Sequence, residues 1–312
     1  MSRIVTFTAN PAVDISTAVA KIVPFSKLRC APARKDPGGG GVNVARVIHR
    51  LGGDARALYP AGGTTGRELR RLLDEEGVRS TEIEIGAGTR ENITVVEEES
   101  HAQYRFIFPG GSLTKDEECR CLDVLAGLDP RPDWVVASGS LPPGASDDLY
   151  RRLGETAKRL GAAMVVDSFG AALSQALAVG PALIKPNLRE FKELTGVEAD
   201  TDAALVSAAR RLIDEDRVGR VALTLGERGA FLVSRSGALR AEALAVEAVS
   251  VSGAGDSFLA AMLWALADGA SDEEALRYGV AGGSAAVLQP GTDLCRADDV
   301  KTLVGQVAVQ RL

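Results

Sequence analysis

Five short apolar runs, set among stretches of helical pattern, constrain this chain more than any other feature. They are Arg3-Ile-Val-Thr-Phe-Thr8, Asp133-Trp-Val-Val-Ala-Ser138, Ala163-Met-Val-Val-Asp167, Ala182-Leu-Ile-Lys185 and Arg220-Val-Ala-Leu-Thr-Leu225. A strand that is apolar on both sides must be covered on both faces, and intervening helices supply that cover. The expected architecture is therefore a three-layer αβα sandwich around a mostly parallel sheet. Helical periodicity predicts helices over 41–51, 66–76, 147–160, 201–215, 256–267 and 272–288. Ser271 followed by Asp-Glu-Glu reads as a helix start, with a capping hydroxyl and acids placed against the dipole. No repeat or linker interrupts the 312 residues, so one domain over 1–312 is expected.

Two segments depart from this rhythm. Residues from about 12 to 35 and from about 88 to 110 alternate in the manner of antiparallel strands, with a turn near 98–102. They are expected to form a small sheet of their own. Such a sheet can cover a site or form a dimer contact.

Several function classes lose support early. The net charge of −6 argues against a nucleic-acid or anionic-membrane surface, which needs a positive footprint. No run approaches the roughly 20 apolar residues that span a bilayer, and the polar start Met-Ser-Arg-Ile-Val-Thr-Phe-Thr does not read as a secretory signal, so a cytoplasmic location is expected. The four cysteines, Cys30, Cys119, Cys121 and Cys295, form no C-x-x-C pair and read as reduced thiols. His49 and His101 have no partners at metal spacing, which leaves proton transfer to a carboxylate.

Ligands of open parallel sheets bind beyond the carboxyl ends of the strands. Polar or glycine-rich residues stand there: Asn10-Pro-Ala-Val-Asp14, Ser138-Gly-Ser-Leu-Pro-Pro-Gly144, Lys185-Pro-Asn187 with Glu190, and Thr224 with Gly226 and Gly229. In Ser-Val-Ser-Gly-Ala-Gly-Asp256, small residues precede an apolar helix. Gly253, Ala254 and Gly255 can converge backbone N–H groups where the helix dipole adds roughly half a positive charge. Asp256, in the first turn, could then accept a proton from a hydroxyl; a plain helix cap behind a flexible turn is the alternative.

Pro37-Gly-Gly-Gly-Gly-Val-Asn-Val-Ala-Arg46 brings a second glycine cluster to a helix start. Four glycines cost much entropy on folding, so close approach of backbone to a polyol ligand is the favoured reading. The cluster is no Walker A loop, since no Gly-Lys-Ser or Gly-Lys-Thr follows. A third cluster, Ala61-Gly-Gly-Thr-Thr-Gly66, lacks the full dinucleotide fingerprint, and no strand is expected beneath Glu82 and Glu84. Lys27, Arg29, Arg90 and Arg105 fall in the two irregular segments, where they could focus on a substrate phosphate or decorate a solvated strand face.

Taken together, these residues resemble the PfkB family of ribokinase-like carbohydrate kinases, in its sugar-phosphate branch. The resemblance runs through eight segments in the family's order: Asn10 to Asp14, Lys27 to Cys30, Pro37 to Arg46, Pro60 to Gly63, Gln103 to Phe106, Ser138 to Gly144, Lys185 to Asn187 with Glu190, and Gly253 to Asp256. It implies transfer of the γ-phosphoryl group of ATP to a primary hydroxyl of a ketohexose phosphate. Fructose 6-phosphate is the expected acceptor, tagatose 6-phosphate and fructose 1-phosphate are alternatives, and a non-catalytic sugar-phosphate sensor is the alternative outside enzymes. By the same resemblance Asp256 is the base and Gly253 to Gly255 the anion hole. Asp14, Lys27, Arg29, Gly39, Gly40, Asn43, Arg90, Arg105 and Ser138 meet the sugar phosphate. Lys185, Asn187, Thr224, Gly226, Gly229 and Gly283 lie on the nucleotide side, and Asn187 and Glu190 organise magnesium through water. Ser250, Ser252 and Gly291 stand where a monovalent cation would sit, which makes potassium a candidate beside ATP and magnesium. Ser250 replaces a more usual aspartate, and Asp293 stands where relatives can carry arginine. Gly63-Thr-Thr-Gly66 leans away from ribokinase-type substrates. The small sheet is implied to be both lid and homodimer interface.

Overall fold

The computed structural model describes residues 2–312. Strands β1 (Arg3–Phe7), β2 (Ala12–Val19) and β3 (Arg34–Gly38) lead into helix α1 (Gly40–Arg50), then β4 (Asp54–Ala61), α2 (Gly63–Glu75), β5 (Arg79–Glu84), β6 (Arg90–Glu97) and β7 (Gln103–Ile107). The middle of the chain forms α3 (Lys115–Ala126), β8 (Trp134–Ser138), α4 (Leu149–Leu160), β9 (Ala163–Asp167), α5 (Gly170–Ala176), β10 (Leu183–Ile184), α6 (Leu188–Thr195), α7 (Asp202–Asp214) and β11 (Arg220–Thr224). It ends with β12 (Ala230–Ser234), β13 (Gly237–Ala241), α8 (Ala254–Ala267), α9 (Asp272–Val287), α10 (Ala297–Val304) and β14 (Val309–Arg311).

Ten strands make one sheet in the order β14-β13-β12-β11-β10-β9-β8-β1-β4-β5. From β5 to β11 all pairings are parallel, and β12 to β14 extend that edge antiparallel. The pleat divides the apolar strands between two cores. Ile4, Val136, Val165 and Ala222 pack with α1, α8 and α9, while their neighbours Val5, Val135, Val166 and Val221 pack with α4, α5 and α7. This two-sided burial is why those runs are apolar throughout. β1 lies between β4 and β8, so the chain leaves β1 in one direction and returns on its other side. Such a reversal opens a crevice at the carboxyl ends of the strands.

The second sheet runs β3-β2-β6-β7 and is built from the two segments expected to form it. The β6–β7 hairpin is antiparallel, as its alternation indicates. The pairing of β2 with β6 is parallel, which alternation cannot distinguish. Residues 20–33 form no strand.

The structure corrects four further expectations. The acids Glu82 and Glu84 do lie on a strand: β5 pairs with β4 at the sheet edge, where one-sided cover permits the charged sequence Arg-Ser-Thr-Glu-Ile-Glu. Helix α2 starts at Gly63, three residues early, because Gly62 in extended conformation turns the chain into it. Helix α8 starts at Ala254, with Gly253 rather than Asp256 at the cap position. Helices α3, α5, α6 and α10 were not anticipated, although α3 and α6 each carry a capping box, Thr114 with Glu117 and Asn187 with Glu190.

Candidate active site

Helix α1 drives its first turn into the crevice between β1 and β8. Its glycines make this possible. A Cβ on Gly40 would lie 2.3 Å from Ser138 Oγ, one on Gly41 2.5 Å from Thr8 Oγ1, and one on Gly38 2.4 Å from Asp14 Oδ2. Gly39, at φ 109°, caps the helix in a conformation reserved for glycine. The sequence reading assigned these glycines to close approach by a ligand; all four are required by the protein's own atoms or backbone, since a Cβ on Gly39 would also lie 2.7 Å from Thr8 Cγ2. Their effect is to bring Asn43, one turn into α1, to the centre of the crevice.

There Asn43 Nδ2 donates to Asp256 Oδ2 at 2.8 Å. Asp256 belongs to the first turn of α8, an end that no side chain caps, so its leading amides are left for solvent or a ligand. Its carboxyl is pushed up to about 7, first by burial and then by repulsion from Asp167, against the pull of Asn43 and Lys185. Lys185, buried just beyond β10, forms a 3.0 Å ion pair with Asp167. Burial opposes its charge, but Asp167, Asp256 and Glu190 hold the ammonium above its ordinary range. A Cβ on Gly255 would lie 3.4 Å from Lys185 Nζ, so the open end of α8 faces this cation. The site thus pairs a carboxylate poised near neutrality with a fixed positive charge.

The small sheet adds Asp14, whose Oδ1 accepts from Asn92 Nδ2 at 2.8 Å. Burial raises the Asp14 carboxyl despite Asn92 and the charges of Arg90, Arg46 and Arg105. Arg90 is anchored to the backbone: its guanidinium donates to the carbonyls of Phe108 and Asn10, and its buried Nε has no partner. Arg105 is exposed on β7 opposite Thr94. Lys27 and Arg29 are exposed within 20–33, with no hydrogen bond or ion pair to either among the described residues. Asp256, Gly253 to Gly255, Asn43, Gly39, Gly40, Ser138, Asp14 and Lys185 therefore come together, whereas Lys27 and Arg29 do not join them in the single chain.

On the other flank Asn187 and Glu190 cap α6 reciprocally, each side chain accepting from the other's backbone N–H at 2.9 Å. Thr224 forms an isolated parallel bridge with Asn187, and the 3-10 turn Gly226–Arg228 follows it. Gly229 is held by packing, since a Cβ there would lie 2.1 Å from the Ala241 carbonyl. Gly283 on α9 faces the start of α8, with its Cβ position 3.4 Å from Ala254 O. No group of three or more His, Cys, Asp or Glu among the described residues could hold a metal directly. Near Gly253, Ser250 Oγ donates to the Gly291 carbonyl at 2.7 Å and Ser252 Oγ is buried without a partner, an orphaned oxygen that suits a monovalent cation. Asp293 is occupied by Arg34 and Arg50.

Sequence reasoning missed two residues of this site. Asp167 ends β9 and was findable by the same strand-end rule that found Ser138. Arg46, within the second glycine segment, gave no signal, because arginine is ordinarily exposed.

A buried carboxylate at an uncapped helix start, beside a buried lysine, suits an enzyme that transfers a phosphoryl group to an alcohol. The chain belongs to the pfkB family of carbohydrate kinases, whose sequence profile matches residues 8–299. It is 44% identical over 299 residues to ATP-dependent 6-phosphofructokinase isozyme 2 of Mycobacterium tuberculosis H37Rv, covering 96% of this chain and 88% of that one. It is 41% identical over 308 residues to the isozyme 2 of Escherichia coli K12, covering 97% and 98%. The crystal structure of Escherichia coli phosphofructokinase-2 in complex with fructose-6-phosphate matches with a TM-score of 0.92 at 40% identity, over 98% of this chain and 99% of that one. The fold is ribokinase-like.

Proposed function

We propose that this chain is an ATP-dependent 6-phosphofructokinase, which converts fructose 6-phosphate and ATP to fructose 1,6-bisphosphate and ADP. The observation that carries the reading is Asp256, held by Asn43 at the open end of α8 with its carboxyl raised to about 7. In this reading Asp256 accepts the proton of the sugar's C1 hydroxyl, whose oxygen bonds to the γ-phosphorus as the bond to ADP breaks. The α8 amides of Gly253 to Gly255 and the Lys185 ammonium receive the negative charge of the transferring group. Asp14, Gly39, Gly40, Asn43 and Ser138 hold the sugar, and Thr224, Gly226, Gly229 and Gly283 line the nucleotide side. Magnesium, held through water by Asn187 and Glu190, would neutralise phosphate charge, and potassium would sit by Ser250, Ser252 and Gly291.

We treat the whole chain as one kinase domain with the small sheet as its lid. No helix of the described residues is long and apolar enough to cross a membrane, and we place the protein in the cytoplasm with its substrates. The lid leaves Phe25, Leu28, Tyr104, Phe106, Ile107 and Phe108 exposed. A patch of that kind favours a homodimer through the lid. Sedimentation at working concentration should give the mass of two chains, and a single-chain mass would end that part of the reading.

The substrate is tested by ADP release with magnesium and ATP against fructose 6-phosphate, tagatose 6-phosphate, fructose 1-phosphate and unphosphorylated fructose. The kcat/KM is expected to be highest for fructose 6-phosphate, and a preference for any of the others would overturn that assignment. Arg105→Ala, and Lys27→Ala through the lid contact proposed to bring that side chain to the site, should each raise KM for fructose 6-phosphate about tenfold while KM for ATP stays within about twofold. Equal changes in both constants would remove these cations from the phosphate subsite.

A further inference from the structure

Arg46 is the largest side chain wholly sealed from solvent, and the reaction described above makes no use of it. Every edge of its guanidinium is engaged. Nε and Nη2 donate to Glu76 at 2.9 and 2.5 Å, and Nη1 donates to the Pro37 carbonyl at 2.8 Å and to Asn43 Oδ1 at 3.3 Å. Asn43 in turn donates to Asp256. We propose that Arg46 is a positioning residue for phosphoryl transfer, locking the Asn43 carboxamide with Nδ2 turned toward Asp256. The proposal rests on the reading of Asp256 as the base.

A carboxamide has one donating and one accepting end, and rotation by half a turn exchanges them. With Arg46 in place, rotation would set Nδ2 against a guanidinium and Oδ1 against a carboxylate, so both contacts would become repulsive. Without Arg46, only the ionised Asp256 opposes rotation. A rotated Oδ1 then pairs best with a protonated Asp256, which costs the base its working form. The other groups that face Asp256 cannot compensate. Asp167 and Asp14 favour its protonated form, and Lys185, which favours the anion, is already paired with Asp167. The same guanidinium holds Pro37 on β3, so the stem of the small sheet and the partner of Asp256 share one anchor.

The test compares kcat against pH, at saturating ATP, magnesium and fructose 6-phosphate, for the full-length parent, Arg46→Met, Asn43→Ala and the double variant. In Arg46→Met, kcat at pH 7 is expected to fall about tenfold and its acid limb to move up by about one pH unit, with KM for ATP within about twofold. The double variant should be no worse than Asn43→Ala, because Arg46 acts through Asn43. An acid limb that stays in place, or losses that multiply in the double variant, would overturn the proposal. If Arg46→Met does not fold, Arg46→Lys is the deciding variant. Its single ammonium is drawn to Glu76 and cannot also serve Pro37 and Asn43, so the same upward movement is expected and its absence refutes the idea. Near-normal turnover by Asp256→Asn would instead remove the base itself, which separates failure of the underlying reading from failure of this inference.

Discussion

Replacing Asp256 with asparagine should lower kcat about 10³-fold while leaving KM for ATP within about twofold, since the loss is of proton acceptance and not of binding. In the parent, the base works only when ionised. With the carboxyl raised to about 7, kcat should rise with pH up to about 7 and level off above it. The variant should show a weak residual rate without that limb. It should also be the more stable protein in alkali. A folded-state pKa raised from 3.8 means that the native state holds this proton more tightly than the unfolded chain. Stability contributed by protonation is complete below about pH 4 and is lost as pH rises through 7. Asparagine escapes that loss, so at pH 8 its melting temperature should exceed the parent's by a few degrees, and the gap should close as pH falls from 7 toward 4. Near-normal turnover, or equal melting temperatures at pH 8, would contradict this account of the carboxyl.

Gly253→Ala should cut kcat about 10²-fold and lower the melting temperature by several degrees. Gly253 holds φ at 73°, which costs a residue with a Cβ about 1–2 kcal/mol. The new Cβ would also lie 2.5 Å from Cδ2 of Leu294, a fully buried side chain. Relief requires a shift of Leu294 or of the first turn of α8, and the second displaces the amides proposed to receive the transferring phosphoryl group. Rates measured well below the melting temperature separate the two effects. Full activity in a destabilised variant would show that the turn is structural only.

The parallel sheet, the six helices α1, α2, α4, α7, α8 and α9, and the two pieces of the small sheet were legible because their periodicities are dictated by burial. Asp256 was singled out as an acid after Gly-Ala-Gly ahead of an apolar helix, but a plain helix cap fitted the same pattern, and its burial beside Asn43 and Lys185 exists only in the assembled fold. The same signals fail at edges. β5 is half covered, so its alternating charges look like a continuation of the α2 helix surface. At the antiparallel edge, β11, β12 and β13 follow one another with no α-helix between them, and β14 is only three residues long, so the alternation of strand and helix does not announce it. Asp167 was overlooked although the strand-end rule points to it, and Arg46 was hidden because a buried arginine is defined by partners distant in sequence. For the glycine quartet the position was found and the cause was not. Ser138, Thr8 and Asp14 crowd those residues, and that crowding exists only once the sheet has assembled.

β3 ends at Gly38 and α1 begins at Gly40, so a single residue separates the small sheet from the helix that carries Asn43. A movement of the cover cannot spare the first turn of α1, and through Asn43 it reaches Asp256. One short stretch of backbone, Gly38 to Gly40, thus fixes both the seating of the small sheet and the placement of the side chain that meets Asp256.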